Sequence, residues 1–157
     1  MPTSSQHSIR VKQGLDSVNT ALAKEHPNEL VIACFYTCLH MFEAALYDFG
    51  TEEQPRHFNT HRDRYKFPSA ASSDSSSAFF ELALDYQSLR DVSEQARYLS
   101  PAGSETYEPL ITTDVESART LYEAIKKKLE SQYQQRLKNP APWLPESTGG
   151  TAAPQQG

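Results

Sequence analysis

Apolar residues recur along the chain at intervals of three and four positions, the spacing that places side chains on one face of an α-helix. The strongest example runs from Asn28 to Gly50, where apolar residues cover more than half of the predicted helix surface. Pro27 disfavours helix just before this segment, Asn28 can cap its first turn, and Gly50 can close its last turn. A helix this apolar is predicted to lie at the centre of the fold and to contact several others.

Three further segments show helical periodicity. They begin at Ser8, Ala78 and Thr113 and end near His26, Leu99 and Leu137. A short helix is also predicted between Thr60 and Tyr65, and no segment shows the alternation that is typical of a strand. The chain is therefore predicted to be all-α, with four long helices and one short helix in an up-and-down bundle.

The composition divides the 157 residues into one domain and two tails. Residues 1–7 are mostly polar, and residues 139–157 are rich in Pro, Gly and Ala, with Trp143 as the only aromatic side chain. Both tails are predicted to be disordered, because neither can bury enough surface to offset the entropy of ordering the chain. Residues 8–138 are predicted to form the bundle domain, which is large enough for its own core.

Charge and cysteine usage restrict the function classes. Lys and Arg total 15 against 20 Asp and Glu, and a net charge of −5 argues against broad, non-specific binding of nucleic acid. No signal-peptide pattern and no run of about 20 apolar residues is found, so no membrane association is expected. Cys34 and Cys38 are expected to be small core residues in a reducing compartment, which indicates the cytoplasm.

Two stripes of polar side chains follow helical spacing. The first, on the central helix, consists of Tyr36, His40, Glu43 and Tyr47; the second, on the next long helix, consists of Tyr86, Arg90, Ser93 and Arg97. From these we single out four candidates for a supporting polar network: His40, Glu43, Tyr86 and Arg97. Such a network either orients catalytic groups or only fixes the register of the helices.

The segment from Arg56 to Lys66 is the most basic part of the chain, with four cationic side chains, two histidines and one acid. Metal-independent RNA cleavage needs a group that transfers protons near neutral pH and a cation that holds the phosphoryl oxygens. His61 with Arg64, or Arg56 with His61, could supply that pair. The alternative is a solvated basic loop without chemistry.

Signatures of other sites are absent from the sequence. It holds no Cys-x-x-Cys or His-Glu-x-x-His pattern, no glycine-rich phosphate loop and no nucleophile elbow. Cys34, Cys38 and His40 do not share one helix face. No metal and no cofactor are therefore expected.

Three motifs in order resemble the HEPN superfamily of small helical bundles, and within it an uncharacterised bacterial branch. They are FYTCLHMFEAALYDFG, THRDRYKF and DYQSLRDVSEQARYL. The positions that match the branch pattern are Phe35, Tyr36, Leu39, His40, Glu43, Ala44, His61, Arg64, Tyr86, Leu89, Ser93, Ala96, Arg97 and Tyr98. The resemblance covers roughly residues 10–135.

The resemblance implies a HEPN-like bundle that forms a homodimer and binds or cleaves RNA, or binds a nucleotide, in a bacterial defence or toxin–antitoxin setting. An antitoxin or another defence-system protein is then an expected partner. Active members carry an arginine, a polar residue and a histidine four to six positions beyond the arginine, usually in a late helix. Arg56, His57 and His61 fit this spacing, although here they follow the central helix. The alternative function is a non-catalytic dimerisation or adaptor module, in which the polar stripes only hold the bundle together.

Overall fold

The computed structural model describes residues 3–49, 76–98, 110 and 112–146. These residues form four α-helices and no strand, which confirms the all-α class. The helices are α1 (Ser4–Lys24), α2 (Pro27–Phe49), α3 (Ser76–Tyr98) and α4 (Thr112–Leu137). The predicted short helix at residues 60–65 lies outside the described residues.

α1 begins four residues earlier than the periodicity predicts, within the tail that is expected to be disordered. Thr3 caps it: the Thr3 hydroxyl accepts a hydrogen bond from the Gln6 backbone N–H, and the Gln6 side chain accepts one from the Thr3 N–H at 2.8 Å. This reciprocal capping box satisfies two backbone donors that have no partner inside a helix. The cap, together with the burial of His7 and Ser8, accounts for the order of this end.

A two-residue turn joins α1 to α2. Glu25 closes α1 in the left-handed conformation, with φ 57° and ψ 40°, and its N–H bonds back to carbonyl groups of the last turn. Pro27 is the first residue of α2, a position where the missing N–H of proline costs no hydrogen bond. A connection this short makes the two helices antiparallel neighbours.

α2 is the central helix, as its composition predicts. It packs against α1, α3 and α4, and α3 also packs against α4. Thirteen of its residues are buried: Leu30, Val31, Cys34, Phe35, Thr37, Cys38, Leu39, Met41, Phe42, Glu43, Ala44, Ala45 and Leu46. The site residues on α2 are therefore fixed by the main core of the fold.

By length and composition, α2 is also the one described helix that could cross a membrane. Most of it is buried against the other helices. The core helix of a soluble protein meets the same criterion, so this one helix is weak evidence for a membrane span.

α1 and α2 lie close together at Gly14. A Cβ atom placed on Gly14 would overlap the side chain of Thr37, whose own Cβ would lie only 3.0 Å away. The Thr37 hydroxyl donates a hydrogen bond to the Ala33 carbonyl at 2.6 Å, which satisfies this buried polar group within α2. The absence of a side chain at position 14 therefore lets Thr37 lie against the α1 backbone.

The segment after α4 folds back onto the bundle at Ala141 and Trp143, which differs from the expected disordered tail beginning at residue 139. Trp143 is only 2% exposed, and its indole N–H donates a hydrogen bond to Glu130 at 3.0 Å. Its ring meets the edge of Tyr133, which in turn contacts Phe49. One buried aromatic residue with a satisfied N–H supplies the apolar area that the rest of this segment lacks.

We predict that Trp143→Ala lowers the free energy of unfolding by about 3–5 kcal/mol, the usual effect of truncating a large buried aromatic residue. The measurement is urea denaturation followed by far-UV circular dichroism. The matched control is Pro142→Ala, because Pro142 is the exposed neighbour of Trp143 in the same segment. Equal denaturation midpoints for the two variants would remove Trp143 from the core.

Candidate functional site

The four residues of the α2 stripe lie in different environments along one face. Tyr36 is 41% exposed, whereas Glu43 is buried. His40 and Tyr47 lie between these extremes. The stripe therefore runs from an accessible end at Tyr36 into the interior of the bundle at Glu43.

His40 contacts a histidine that the sequence interpretation did not consider. The Nδ1 atoms of His7, on α1, and His40 lie 3.2 Å apart, which is hydrogen-bond distance when one ring carries the proton. His7 itself is only 6% exposed. The helical position of His7, on the α1 face that continues through Val11, was the available signal, but it fell in the segment expected to be disordered.

Arg97 of α3 is held against the accessible end of the stripe. Its guanidinium donates one hydrogen bond to the Tyr36 hydroxyl at 2.9 Å and another to the Ser93 carbonyl at 3.2 Å. The guanidinium carbon lies 5.4–5.6 Å from the ring centroids of Phe35, Tyr36 and Tyr98, within the range of a cation–π contact. These contacts hold the charged group in one place at the surface.

The rings of Tyr36 and Tyr98 remain accessible beside this guanidinium. Tyr98 is 68% exposed, the largest exposure among the sizeable apolar side chains described. The guanidinium has five N–H donors, and those not bonded to Tyr36 or Ser93 have no partner among the described residues. We call Tyr36, Arg97 and Tyr98 the Tyr–Arg–Tyr surface.

Two other residues of the α3 stripe, Tyr86 and Ser93, are buried. Tyr86 packs between Phe35 and Phe42, with ring centroids 5.6 and 4.9 Å away. Ser93 is fully buried, and its hydroxyl oxygen has no hydrogen-bond partner in the described part of the chain. Tyr86 is therefore part of the core, and Ser93 serves Arg97 through its backbone carbonyl.

A second polar cluster, which the sequence interpretation missed, lies at the C-terminal end of α2. Asp48 accepts hydrogen bonds from the Ser4 hydroxyl at 2.8 Å and from the Tyr133 hydroxyl at 2.7 Å. Burial raises the pKa of Tyr133, and its hydrogen bond to the Asp48 carboxylate raises it further. Tyr133 is therefore a permanent donor that ties α4 to α2, while Ser4 ties α1 to the same carboxylate.

The residues with the strongest predicted chemistry, Arg56, His61 and Arg64, lie outside the described residues. Of the four network candidates, His40 contacts α1, Arg97 joins α3 to Tyr36, and Glu43 and Tyr86 are buried. Within the described ranges, no group of three or more His, Cys, Asp or Glu side chains has an arrangement that could hold a metal ion.

Two surface grooves lie apart from the stripes. The larger, about 520 Å³, lies where the end of α1 meets the starts of α2 and α4, and it is lined mainly by apolar residues such as Leu22, Leu30 and Val115. The smaller, about 310 Å³, lies between α1 and α2 and includes Asp16 and Glu29. Neither is lined by a residue of the two polar stripes.

Comparisons with protein-family models, with curated proteins and with solved structures find no match to this chain.

Cys34 and Cys38 are predicted to be unreactive in the folded protein. Both are fully buried, burial raises the pKa of Cys34 to about 12 with a smaller contribution from Glu123, and burial also raises the pKa of Cys38. Since the thiolate is the reactive form, we expect thiol-specific labelling at pH 8 to be slower than in urea by about a hundredfold or more. The reaction rate is measured with a chromogenic disulfide reagent. Equal rates with and without urea would show that the thiols are accessible.

Proposed function

We propose that the chain binds RNA or a nucleotide through the Tyr–Arg–Tyr surface. The observation that supports this proposal is a guanidinium held beside two accessible tyrosine rings, with N–H donors that have no partner among the described residues. Nucleic-acid bases stack on aromatic rings, and each such contact is worth about 1–3 kcal/mol whatever the base. An arginine beside the rings can hold a phosphate group through two of its N–H donors.

The charge of the chain makes this a local site. At a net charge of −5, the protein as a whole repels a polyanion, so binding depends on the few places where a cation is available. Glu94 lies one helical turn before Arg97, but its carboxylate is near the Arg90 side chain, at 3.6 Å. Single-stranded RNA suits such a surface better than a duplex, because its bases are free to stack.

The biological setting that we propose rests on the resemblance alone: a cytoplasmic HEPN-like homodimer in a bacterial defence or toxin–antitoxin system. In that setting, the basic segment around Arg56, His61 and Arg64 supplies metal-independent ribonuclease activity. His61 transfers the proton and the arginines hold the phosphate. An antitoxin or another defence protein is the partner expected to control it.

A second function, the non-catalytic dimerisation or adaptor module, is favoured by a different observation. His40 and Arg97 are both engaged in contacts between helices, as expected of groups that fix helix register. Tyrosine and arginine are also enriched at the centres of protein–protein interfaces. In this case, the Tyr–Arg–Tyr surface meets a protein instead of a base.

RNA binding is tested by fluorescence anisotropy with labelled single-stranded RNA at low salt. We predict that Tyr98→Ala and Arg97→Ala each raise the dissociation constant about tenfold or more, because a stacking ring or a phosphate contact is lost. Tyr98→Phe should bind like the parent, since it retains the ring. Arg119→Ala on α4 is the matched control, because it removes an exposed positive charge that is not part of the Tyr–Arg–Tyr surface.

Two outcomes contradict the RNA-binding proposal. One is the absence of RNA or nucleotide affinity in the folded parent protein. The other is an equal loss of affinity in Arg119→Ala and Arg97→Ala, which would indicate a general charge effect. Retained dimerisation without RNA affinity, measured by light scattering, favours the adaptor function.

Cleavage is tested separately with the same RNA in the presence of a chelator. We predict that His61→Ala abolishes cleavage and leaves binding nearly unchanged, because a proton-transfer group acts mainly in the transition state. Arg64→Ala should weaken both, since a phosphate contact exists before and during the reaction. Loss of the parent's activity on chelation would exclude the metal-independent mechanism, and each variant must keep the circular dichroism of the parent.

A further inference from the structure

The first two turns of α1 are attached to α2 mainly by polar contacts. Ser4 bonds to Asp48, and His7 bonds to His40. Ile9 is 54% exposed, and the first apolar core residue of α1 is Val11. The remainder of the helix is held by Val11, Val18 and Ala21, which are buried. Among the described residues, these contacts of residues 4–10 with α2 are therefore polar, whereas the later turns depend on the hydrophobic core.

The hydrogen bond between His7 and His40 requires a proton on one of the two Nδ1 atoms and none on the other. The Nδ1 atoms lie 3.2 Å apart and the ring centroids 5.4 Å apart, so the rings meet nearly end to end with these two atoms between them. With one proton between the two Nδ1 atoms, one ring donates and the other accepts. The pair can take up one further proton at the free Nε2 atom of the donating ring and keep this bond. When both rings are doubly protonated, both Nδ1 atoms are donors, and two positive charges face each other at short range. The contact survives only while at least one Nδ1 atom is unprotonated.

Among the described residues, the charged groups nearest to the pair along the packed helices do not give the two facing N–H donors an acceptor. On α2, Glu43 lies one turn beyond His40, and Asp48 lies two turns beyond and is bonded to Ser4 and Tyr133. On α3, Arg97 is bonded to Tyr36, one turn before His40. On α1, Arg10 is exposed. The carboxylates can stabilise one added positive charge on the pair, but they cannot supply an acceptor between two N–H donors that face each other.

We propose that the His7–His40 contact is a pH-sensitive attachment that holds residues 4–10 against α2 at neutral pH and releases them when both rings are protonated. The released state binds more protons than the attached state, so a fall in pH favours release. Free imidazole groups become protonated below about pH 6.5, and each pH unit below that value favours release by about tenfold per extra proton. Release would also expose His40, one helical turn from Tyr36.

Hydrogen exchange of the whole chain between pH 7.5 and pH 5 tests this proposal, after correction for the intrinsic exchange rate. We expect the backbone amides of residues 6–10 to lose about tenfold or more of their protection, while those of residues 15–22 lose little. His7→Gln should remove this pH dependence. His26→Gln is the matched control, because His26 is an exposed histidine bonded to Glu29 in the adjoining turn, and this variant should behave like the parent.

Two results would overturn the proposal. One is protection of residues 6–10 that stays constant across this pH range in the parent; the other is the same pH dependence in His7→Gln as in the parent. A second measurement, ¹⁵N chemical shifts of the imidazole nitrogens in the unmodified protein, does not depend on a variant that folds. The loss of protection should coincide with protonation of the second ring, and two protonated rings with full protection at residues 6–10 would contradict the mechanism.

Discussion

Burial of α2 on several sides is the constraint on which the rest of the bundle depends. A helix with this many apolar residues must be covered by neighbours, and α1, α3 and α4 together provide the cover. Apolar packing of this kind is strong but not directional, because many relative positions of two helices bury similar areas. Hydrophobic burial therefore explains why the helices associate, but not why they adopt one register.

Hydrogen bonds made by polar groups on α2 select one register of the helices. Tyr36 bonds to Arg97 on α3, His40 to His7 on α1, and Asp48 to Ser4 and Tyr133. Sliding a helix by one turn would break its bond. At the buried positions this would leave a polar group without a partner, which is more unfavourable than the bond itself is favourable. These polar groups on α2 fix the register of the helices, and Tyr36 is the most exposed residue of the α2 stripe.

Sequence periodicity predicts the helices well because it reports burial, and burial dominates here. It predicts α2 as central and the class as all-α, and both are confirmed. It fails at the ends for a physical reason: order there depends on single side chains whose partners are distant in sequence. Thr3 and His7 lie in a polar tail, and Trp143 in a segment rich in proline and glycine. The average composition of such a segment predicts disorder, because it does not show that a single residue can anchor the segment to the bundle.

In the candidate site, too, the sequence predicts positions within one helix but not the contacts between helices. Helical spacing places Tyr36, His40 and Glu43 on one face, but it does not reveal that His40 meets His7 or that Arg97 lies beside Tyr36 and Tyr98. Those pairings depend on how two helices meet, which the pattern of a single helix does not contain. Nor does the sequence of α1 alone explain the mid-helix glycine at position 14. Its small size is required by Thr37 on the next helix.

The close approach of Gly14 and Thr37 has a consequence for how this sequence can change over time. While Thr37 is present, almost any side chain at position 14 is excluded, although alanine would favour the helix itself. If Thr37 were first replaced by a smaller residue, position 14 would become free to vary. A replacement of Gly14 is therefore tolerated only after Thr37 has become smaller. We expect positions 14 and 37 to covary among the descendants of this chain.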